Sequence, residues 1–493
     1  MDHHEPPAAP ARRSVRASLA WTYGAHLLVF AVTFASTVVV SRLLTPRDLG
    51  AFGVGMAISG ILGTISYFGV ANYLIREQEL SRQTVATAFT VNALLGLGVG
   101  AVLWLLGAAG PRVIAEPAIR DVLRLLALVP VIGVLEFVPA TLMARDMRLD
   151  RSSLLQFGKA AVNAAATIWL ALRGWGHLSL AVGAVLGAAF GALGYSLVGR
   201  RYLCCALSLN GARAMARFAV QMISAGGVSV LAARVAELIV AQMLGLGALG
   251  LYTRASGLAA MIWDGAYGLS TRVIYLQMAT ELRERGSLKQ TFLHATRLLT
   301  AIMWPGMAGL AVLAGPVIRL LYGPQWDGAA LPLALLMAGQ FVAIGFAMNW
   351  ELCVLTGRTA WQARVEVSRA LFALAVFALG ALFSLPAAAA SRIFEALLGF
   401  AVYRRRMGEM AGASATEVRG AYSGGLVLTA VAVGPGLAAM SFLGWPHQPA
   451  PIQLGGAIAA GMGLWLVALR LMDHPLLHEL ALLVRRRPEA VHG

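Results

Sequence analysis

The chain has 493 residues, of which 59% are hydrophobic and 13% charged, with a net charge of +16 and a mean hydropathy of +0.73. A soluble chain carries about 25% charged residues, so this composition excludes an ordinary soluble enzyme. The positive excess argues little for nucleic acid, because it is spread over short connections instead of filling one basic domain, and attraction to anionic lipid head groups accounts for it better.

Fourteen long apolar runs follow one another, near 19–41, 50–75, 84–110, 119–143, 154–172, 178–199, 218–242, 248–276, 292–318, 329–355, 361–383, 387–403, 421–444 and 452–469. Each has the length a helix needs to cross a bilayer core, about 17 residues or more. The first is too long for a signal-peptide core and has no small-residue cleavage site close behind it, so it reads as an uncleaved membrane helix. The predicted fold class is an all-α integral membrane protein.

Arginine and lysine alternate between the gaps. The N-terminal tail and every second gap hold 25 of them, including Arg145, Arg148 and Arg151, Arg200 and Arg201, and Arg404 to Arg406. The other gaps hold six: Arg42, Arg47, Arg112, Arg120, Arg173 and Arg319. Cytoplasmic loops retain positive charge, so the basic side is predicted to be cytoplasmic, with both termini on it. No gap is long enough for a soluble domain. Short external connections near 111–118 and 319–328 speak against an enzyme working on the outer face.

The predicted organisation is a cytoplasmic tail (1–18), a six-helix lobe (19–204), a cytoplasmic connector (205–217), a second six-helix lobe (218–410), two further helices (411–472) and a cytoplasmic tail (473–493). A short repeat supports the two lobes. RLLTPRDLGAF at 42–52 aligns with QMLGLGALGLY at 242–252, pairing Leu44 with Leu244, Leu49 with Leu249, Gly50 with Gly250 and Phe52 with Tyr252. A shift of six helices keeps both copies in the same orientation, a parallel repeat. Pro130, Pro139, Pro305, Pro316 and Pro435 lie in or near the runs and are expected to bend them.

Setting aside Arg120, Asp121 and Arg364, within the first few residues of a run and counted with the gaps, eight basic and six acidic residues fall inside the runs. Arg124, Lys159, Arg272 and Arg297 are near enough to an end to snorkel. The remaining ten, facing lipid, would cost on the order of 25–35 kcal/mol, so they are expected to face a wet interior or one another. Arg234 with Glu237, Glu366 with Arg369, and Arg392 with Glu395 are spaced i,i+3 on one helix face. Local neutralisation and a charged cavity wall are both open readings of these pairs. Arg254 and Asp264 have no such neighbour and are candidates for a substrate path. Glu136, Glu237 and Glu351 are candidates for ion coupling, since a buried carboxyl can carry a proton; a partner on another helix is the rival account. Trp263 beside Asp264, with Tyr267 nearby, fits either a sugar-stacking platform or core packing. Trp175, Trp326 and Trp445 are placed for an interfacial belt.

Catalytic signals are lacking: there is no Walker loop, HExxH, GxSxG or CxxC, and Cys204, Cys205 and Cys353 have no metal-ligand spacing. No cofactor or metal is expected, nor an enzymatic activity.

SRLLTPRDLGAFGVG (41–55), FGVANYLIREQE (68–79) and TAFTVNALLGL (87–97) resemble the opening of bacterial oligosaccharide flippases of the polysaccharide-transport family, within the superfamily of multidrug, oligosaccharidyl-lipid and polysaccharide exporters. LGALGLYTRASGLA (247–260) and LYGPQWDGAALPLALL (321–336) resemble its second lobe. The resemblance runs over roughly 20–360. It implies two six-helix lobes in a V around a cationic cavity and alternating access. The implied function is export of an oligosaccharide on undecaprenyl pyrophosphate across the inner membrane, for exopolysaccharide, capsule or O-antigen. Implied partners are the lipid-linked substrate, membrane lipids, a polymerase and export machinery, and in some relatives a proton or sodium ion. Arg234, Arg254 and Arg272 are then the candidates for pyrophosphate, because guanidinium matches phosphate oxygens bidentately; Asp264 and Arg392 complete the candidate cavity. An arginine that lipid-II-exporting relatives use near the end of their first helix does not carry over, since Arg42 sits on the external side. The alternative is an ion-coupled multidrug exporter of the same architecture. A polymerase or ligase of lipid-linked sugars is the third reading.

Overall fold

The computed structural model describes residues 15–77, 80–146, 148–203, 206–222, 227–443, 450–477 and 479. The terminal tails beyond these, Cys204, Cys205 and Trp445 lie outside them. The described residues form helices and no strand. They cluster into two compact units, one up to Arg234 and one from Val235. This boundary falls later in the chain than the 205–217 connector.

The first unit contains α1 (Val15–Leu43), α2 (Pro46–Arg76), α3 (Arg82–Ala108), α4 (Pro117–Leu126), α5 (Leu128–Arg145), α6 (Leu149–Leu172), α7 (His177–Val198) and the short α8 (Ala212–Met222). A capping box starts α2: Thr45 Oγ1 accepts from the Asp48 amide, and Asp48 accepts from the Thr45 amide at 3.1 Å, with Pro46 at the first helical position. Asp48 also accepts from the His177 amide at 3.1 Å, tying the start of α2 to that of α7. Gly176 makes this approach possible. Its φ is +52°, and a Cβ there would sit 2.9 Å from Asp48 Oδ1.

Side-chain contacts gather the gaps as the charge alternation requires. At one end of the unit Arg47 pairs with Glu116 at 2.6 Å, alongside the Asp48–His177 contact. At the other, Arg145 donates to the Leu74 carbonyl at 2.6 Å and Arg201 pairs with Asp146 at 3.0 Å. Tyr202 donates to the same carboxylate; burial first, and then Asp146, holds its phenol above the usual value. Beside them Thr87 Oγ1 donates to the Asn210 carbonyl at 2.8 Å and Thr90 Oγ1 accepts from the Ser208 amide at 3.0 Å, docking the segment before α8 onto α3.

A 58-residue helix, α9 (Val228–Arg285), crosses the boundary between the units. At 1.5 Å per residue it would be about 87 Å long if straight, against a hydrocarbon core of about 30 Å. Gly245, with φ +87° and ψ 173°, breaks it. That break stands where the apolar runs 218–242 and 248–276 are separated, and in register with the α1–α2 turn in the 42–52/242–252 alignment. The aligned Leu49 and Leu249 are both buried.

The second unit continues through α10 (Lys289–Val312), α11 (Ala314–Tyr322), a 3-10 turn (Pro324–Ala329), α12 (Ala330–Ile344), α13 (Asn349–Leu355), α14 (Thr359–Ala381), α15 (Leu385–Ala411), α16 (Ala415–Leu443) and α17 (Pro451–Leu471). At the end that carries the basic gaps, Glu281 accepts from the amides of Gln290 and Thr291 at 3.2 and 2.8 Å, capping α10. Burial alone would raise this carboxyl, but the bonds from Thr291 and Gln290 outweigh it and hold it below the usual value. The last two helices, expected to stand apart from the repeat, are packed into this unit. A Cβ at Gly425 of α16 would lie 2.7 Å from Thr300 on α10, and Trp465 Nε1 of α17 donates to the Ala301 carbonyl at 2.9 Å.

Prolines explain two interruptions within single runs. α4 gives way to α5 at Ala127, three residues before Pro130, and α10 to α11 at Leu313, three before Pro316. A proline cannot donate to the carbonyl four residues back, which loosens the turn preceding it. Among the described residues the apolar runs are mostly helical, with turns interrupting three of them at 127, 313 and 345–348. Among the described residues, nine helical segments are long and apolar enough to cross a membrane.

Candidate functional site

In the first unit the membrane-embedded charge is a closed pair. Lys159 Nζ of α6 donates to both oxygens of Glu136 on α5, at 2.9 and 2.8 Å. Lys159, placed by the sequence near enough to a helix end to snorkel, is bonded to this carboxylate, with 37% of its side chain exposed. Glu136, a candidate for ion coupling, is thereby an ion-paired carboxylate. α7 packs against the pair through a small-residue stripe, Gly183, Gly187 and Gly191. A Cβ at Gly191 would meet Glu136 Oε2 at 2.7 Å, and one at Gly187 would meet Asn163 and the Lys159 carbonyl at 3.0 and 3.1 Å.

In the second unit the two i,i+3 pairs join into one chain of charge. Arg392 donates to Glu395 at 2.7 Å, Arg369 donates to the other oxygen of Glu395 at 3.0 Å and to Glu366 at 2.7 Å, and Tyr403 donates to Glu366 at 3.0 Å. The chain crosses from α14 to α15. The guanidinium of Arg392 lies over Phe377 and that of Arg369 over Phe346. Side-chain exposure is only 17–25% along the chain of four. Local neutralisation and an inter-helix link are therefore the same structure.

A broken helix, invisible to the sequence reading, lies between α12 and α13. The turn 345–348 frees carbonyls inside an apolar segment, and side chains from other helices collect them. Tyr422 of α16 donates to Gly345 O at 2.5 Å, Tyr267 of α9 to Ala347 O at 2.7 Å, and Asn349 to Phe346 O at 2.8 Å. One turn earlier, Trp304 Nε1 of α10 donates to Phe341 O at 2.8 Å. Non-helical backbone at membrane depth is tolerated only when satisfied in this way. Glu351 follows the break, 2% exposed, with Oε2 lacking a hydrogen-bond partner among the described residues. Trp263 and Tyr267 pack on each other at 5.2 Å and, partly buried, against the surrounding apolar cluster.

Arg254 has no carboxylate within ion-pair distance among the described residues. It lies over two aromatic rings instead, 5.7 Å from the centroid of Tyr322 and 5.6 Å from that of Trp326, and its Nε has no acceptor. Trp326 was expected in an interfacial belt. It is fully buried, because the 3-10 turn that carries it folds over this guanidinium. Asp264 is exposed on α9. Arg234 packs over Gly60, where a Cβ would meet Nε at 3.0 Å, and Glu237 stands one turn further along α9. Arg272 is on the same helix, but its side chain lies outside the described residues. Among those described, no cluster of three or more metal-ligating side chains occurs.

The family described as polysaccharide biosynthesis protein matches residues 39–331, from the end of α1 to the start of α12. The chain belongs to that family. Among curated relatives it is 23% identical over 324 residues to the succinoglycan biosynthesis transport protein ExoT of Rhizobium meliloti (strain 1021), covering 66% of each chain. It is 22% identical over 355 residues to the lipopolysaccharide biosynthesis protein WzxC of Escherichia coli (strain K12), covering 71% of this chain and 70% of the relative. Among solved structures it superposes on the lipid II flippase MurJ, in an inward closed conformation, with a TM-score of 0.63 at 10% identity, covering 94% of this chain and all of that one. MATE in its straight conformation gives 0.53 at 16% identity over 80% of this chain and 96% of that one. These likenesses establish the helical transporter fold that the sequence segments implied.

Proposed function

We propose that this polysaccharide-biosynthesis protein is a flippase that moves a lipid-linked oligosaccharide, carried on undecaprenyl pyrophosphate, across the bacterial inner membrane for surface polysaccharide export. The observation that carries the proposal is the family match from residue 39 to 331, which takes in helices of both compact units. The names of ExoT and WzxC attach those relatives to succinoglycan and lipopolysaccharide synthesis, and the likeness to MurJ, a lipid II flippase, supplies a fold suited to a lipid-linked cargo. The chain crosses the membrane fourteen times with both termini cytoplasmic, and it moves its cargo without chemical change.

Arg234, Arg254 and Arg272 on α9 are the proposed contacts for pyrophosphate, with Asp264 as a polar neighbour. Arg254 is the strongest of them, since no carboxylate offsets its charge. Arg392 is tied into the α14–α15 chain and holds helices together more than it meets cargo. Glu351 and Glu237 remain the proposed coupling residues, with a proton or sodium ion as the partner; Glu136 is occupied by Lys159. A polymerase and export machinery are the proposed downstream partners.

Deleting the gene should abolish surface polymer and leave lipid-linked repeat units trapped on the cytoplasmic side. Complementation with Arg254→Ala should fail despite normal membrane insertion, while Arg254→Lys, which keeps a cation over the two rings, should restore part of the yield. The rival, an exporter of cationic drugs, draws on the exposed Asp264 and the MATE likeness. Intact polymer with new drug sensitivity in the deletion strain would establish that rival instead.

A further inference from the structure

Between α14 and α15 runs a groove of about 520 Å³. Its wall on α14 is a single helical stripe of Trp361, Arg364, Val365, Ser368, Arg369 and Phe372, faced by Leu398, Gly399 and Val402 of α15. From Trp361 to Phe372 the stripe descends about 16 Å at 1.5 Å per residue. That is the depth of one leaflet, half of a hydrocarbon core of about 30 Å. Exposed Leu371 and Leu397 stand near its rims on the two helices, so the groove lies among surfaces made for acyl chains.

Its charge is concentrated at one end. Arg364, Arg404, Arg405 and Arg406 collect where α14 begins and α15 closes, and among the described residues the carboxylate that pairs with any of them is Glu409, bonded to Arg405 at 3.0 Å. Arg406 lies over Trp361 at 4.6 Å and Arg404 over Phe400 at 5.7 Å, while Arg364 Nε reaches only the Ala360 carbonyl of its own helix. Two guanidinium groups, Arg364 in the lining and Arg406 over Trp361, thus stand without a counter-charge among the described residues at the mouth of an apolar slot. Below them Arg369 lines the floor, with its terminal nitrogens bonded to Glu366 and Glu395.

We propose that this groove binds an anionic phospholipid of the leaflet at the basic end. Its phosphate is held by Arg364 and Arg406 beside Trp361, and one acyl chain lies along Val365, Phe372, Leu398 and Val402. Basic pockets between membrane helices recognise acidic head groups by this combination of charge and apolar wall. The site is separate from the residues proposed to meet the transported cargo, and the inference does not depend on what that cargo is.

The test is native mass spectrometry of the delipidated full chain, titrated with phosphatidylglycerol or phosphatidylcholine. Wild type should retain phosphatidylglycerol in preference. Arg364→Gln/Arg406→Gln should weaken that binding about 25-fold, at about fivefold per basic residue, whereas Arg283→Gln/Arg470→Gln should leave it unchanged. Arg364→Lys/Arg406→Lys keeps the charge and should keep the preference, which separates loss of the site from loss of fold. Equal retention of both lipids by wild type, or undiminished phosphatidylglycerol binding by the glutamine pair, would overturn the proposal. So would loss of preference in the lysine pair. Displacement of phosphatidylglycerol by an equimolar isoprenoid phosphate would overturn it too, by assigning the groove to the cargo lipid.

Discussion

The two units handle membrane-embedded charge in different ways. The first closes a single lysine on a single glutamate, with both carboxylate oxygens used and a glycine stripe pressed against the pair. The second strings two arginines, two glutamates and a tyrosine across α14 and α15, so that Arg369 and Glu395 each have two partners. Breaking a buried pair leaves an uncompensated charge, at a cost of about 3–5 kcal/mol. A chain has a second partner to fall back on, so it tolerates the loss of a terminal member. The closed pair is therefore the stiffer device and the chain the more adaptable one.

This difference orders the expected effects of mutation. Lys159→Met should be the most damaging, because Glu136 has no second partner to fall back on; with the lysine side chain 37% exposed the cost falls at the low end of the range for a buried pair, about 3 kcal/mol, and lowers the melting temperature of the detergent-purified protein. Adding Glu136→Leu to it should recover most of the loss, because an apolar pair removes the stranded charge. No recovery would mean that the pair does more than balance charge. Gly191→Ala should come next. It forces a methyl against Glu136 Oε2, and overpacking of this kind costs about 1–3 kcal/mol. Glu366→Gln should cost about 1–3 kcal/mol, since Arg369 keeps Glu395 and Tyr403 keeps an oxygen partner. If Glu366→Gln matched Lys159→Met in melting temperature, the distinction between pair and chain would fail.

The smallest effect is expected at the basic end of the second unit. The Glu281 carboxyl is held below its ordinary value in the folded chain. The stability it contributes is therefore complete above the unfolded value of 4.5 and is lost as the pH falls through the lower folded one. Glu281→Gln should flatten that acid limb of the melting curve and lower the melting temperature modestly near neutral pH, where the carboxylate's contribution is otherwise complete, with the two proteins converging as the pH falls.

Much of the fold was legible because it rests on one-dimensional signals. Run length located most of the long helices, and Pro130 and Pro316 marked two of the interruptions, whereas α8 fell largely in the expected connector. The i,i+3 pairs of α14 and α15 could be read from spacing, but the bond from Arg369 to Glu395 could not, since it spans two helices. Lys159 and Glu136 are 23 positions apart and meet only because α5 and α6 share α7 as a neighbour. The company of Arg254 was half-visible: Tyr322 and Trp326 stand in the 321–336 segment that carried the resemblance, but nothing in that segment pointed back to position 254. The break at 345–348 has no proline to announce it and is held open by donors from three other helices.

Those donors give the broken turn a consequence of its own. Tyr422, Tyr267 and Trp304 come from α16, α9 and α10, so the freed carbonyls of one segment register the position of three others. Sliding any of those helices by a few ångströms strips a carbonyl of its partner, at about 1–3 kcal/mol unless water reaches it. Hydration of that turn is thus the natural gauge of whether the second unit has changed state, and backbone amide exchange at Gly345 to Asn349 is where such a change would first be recorded.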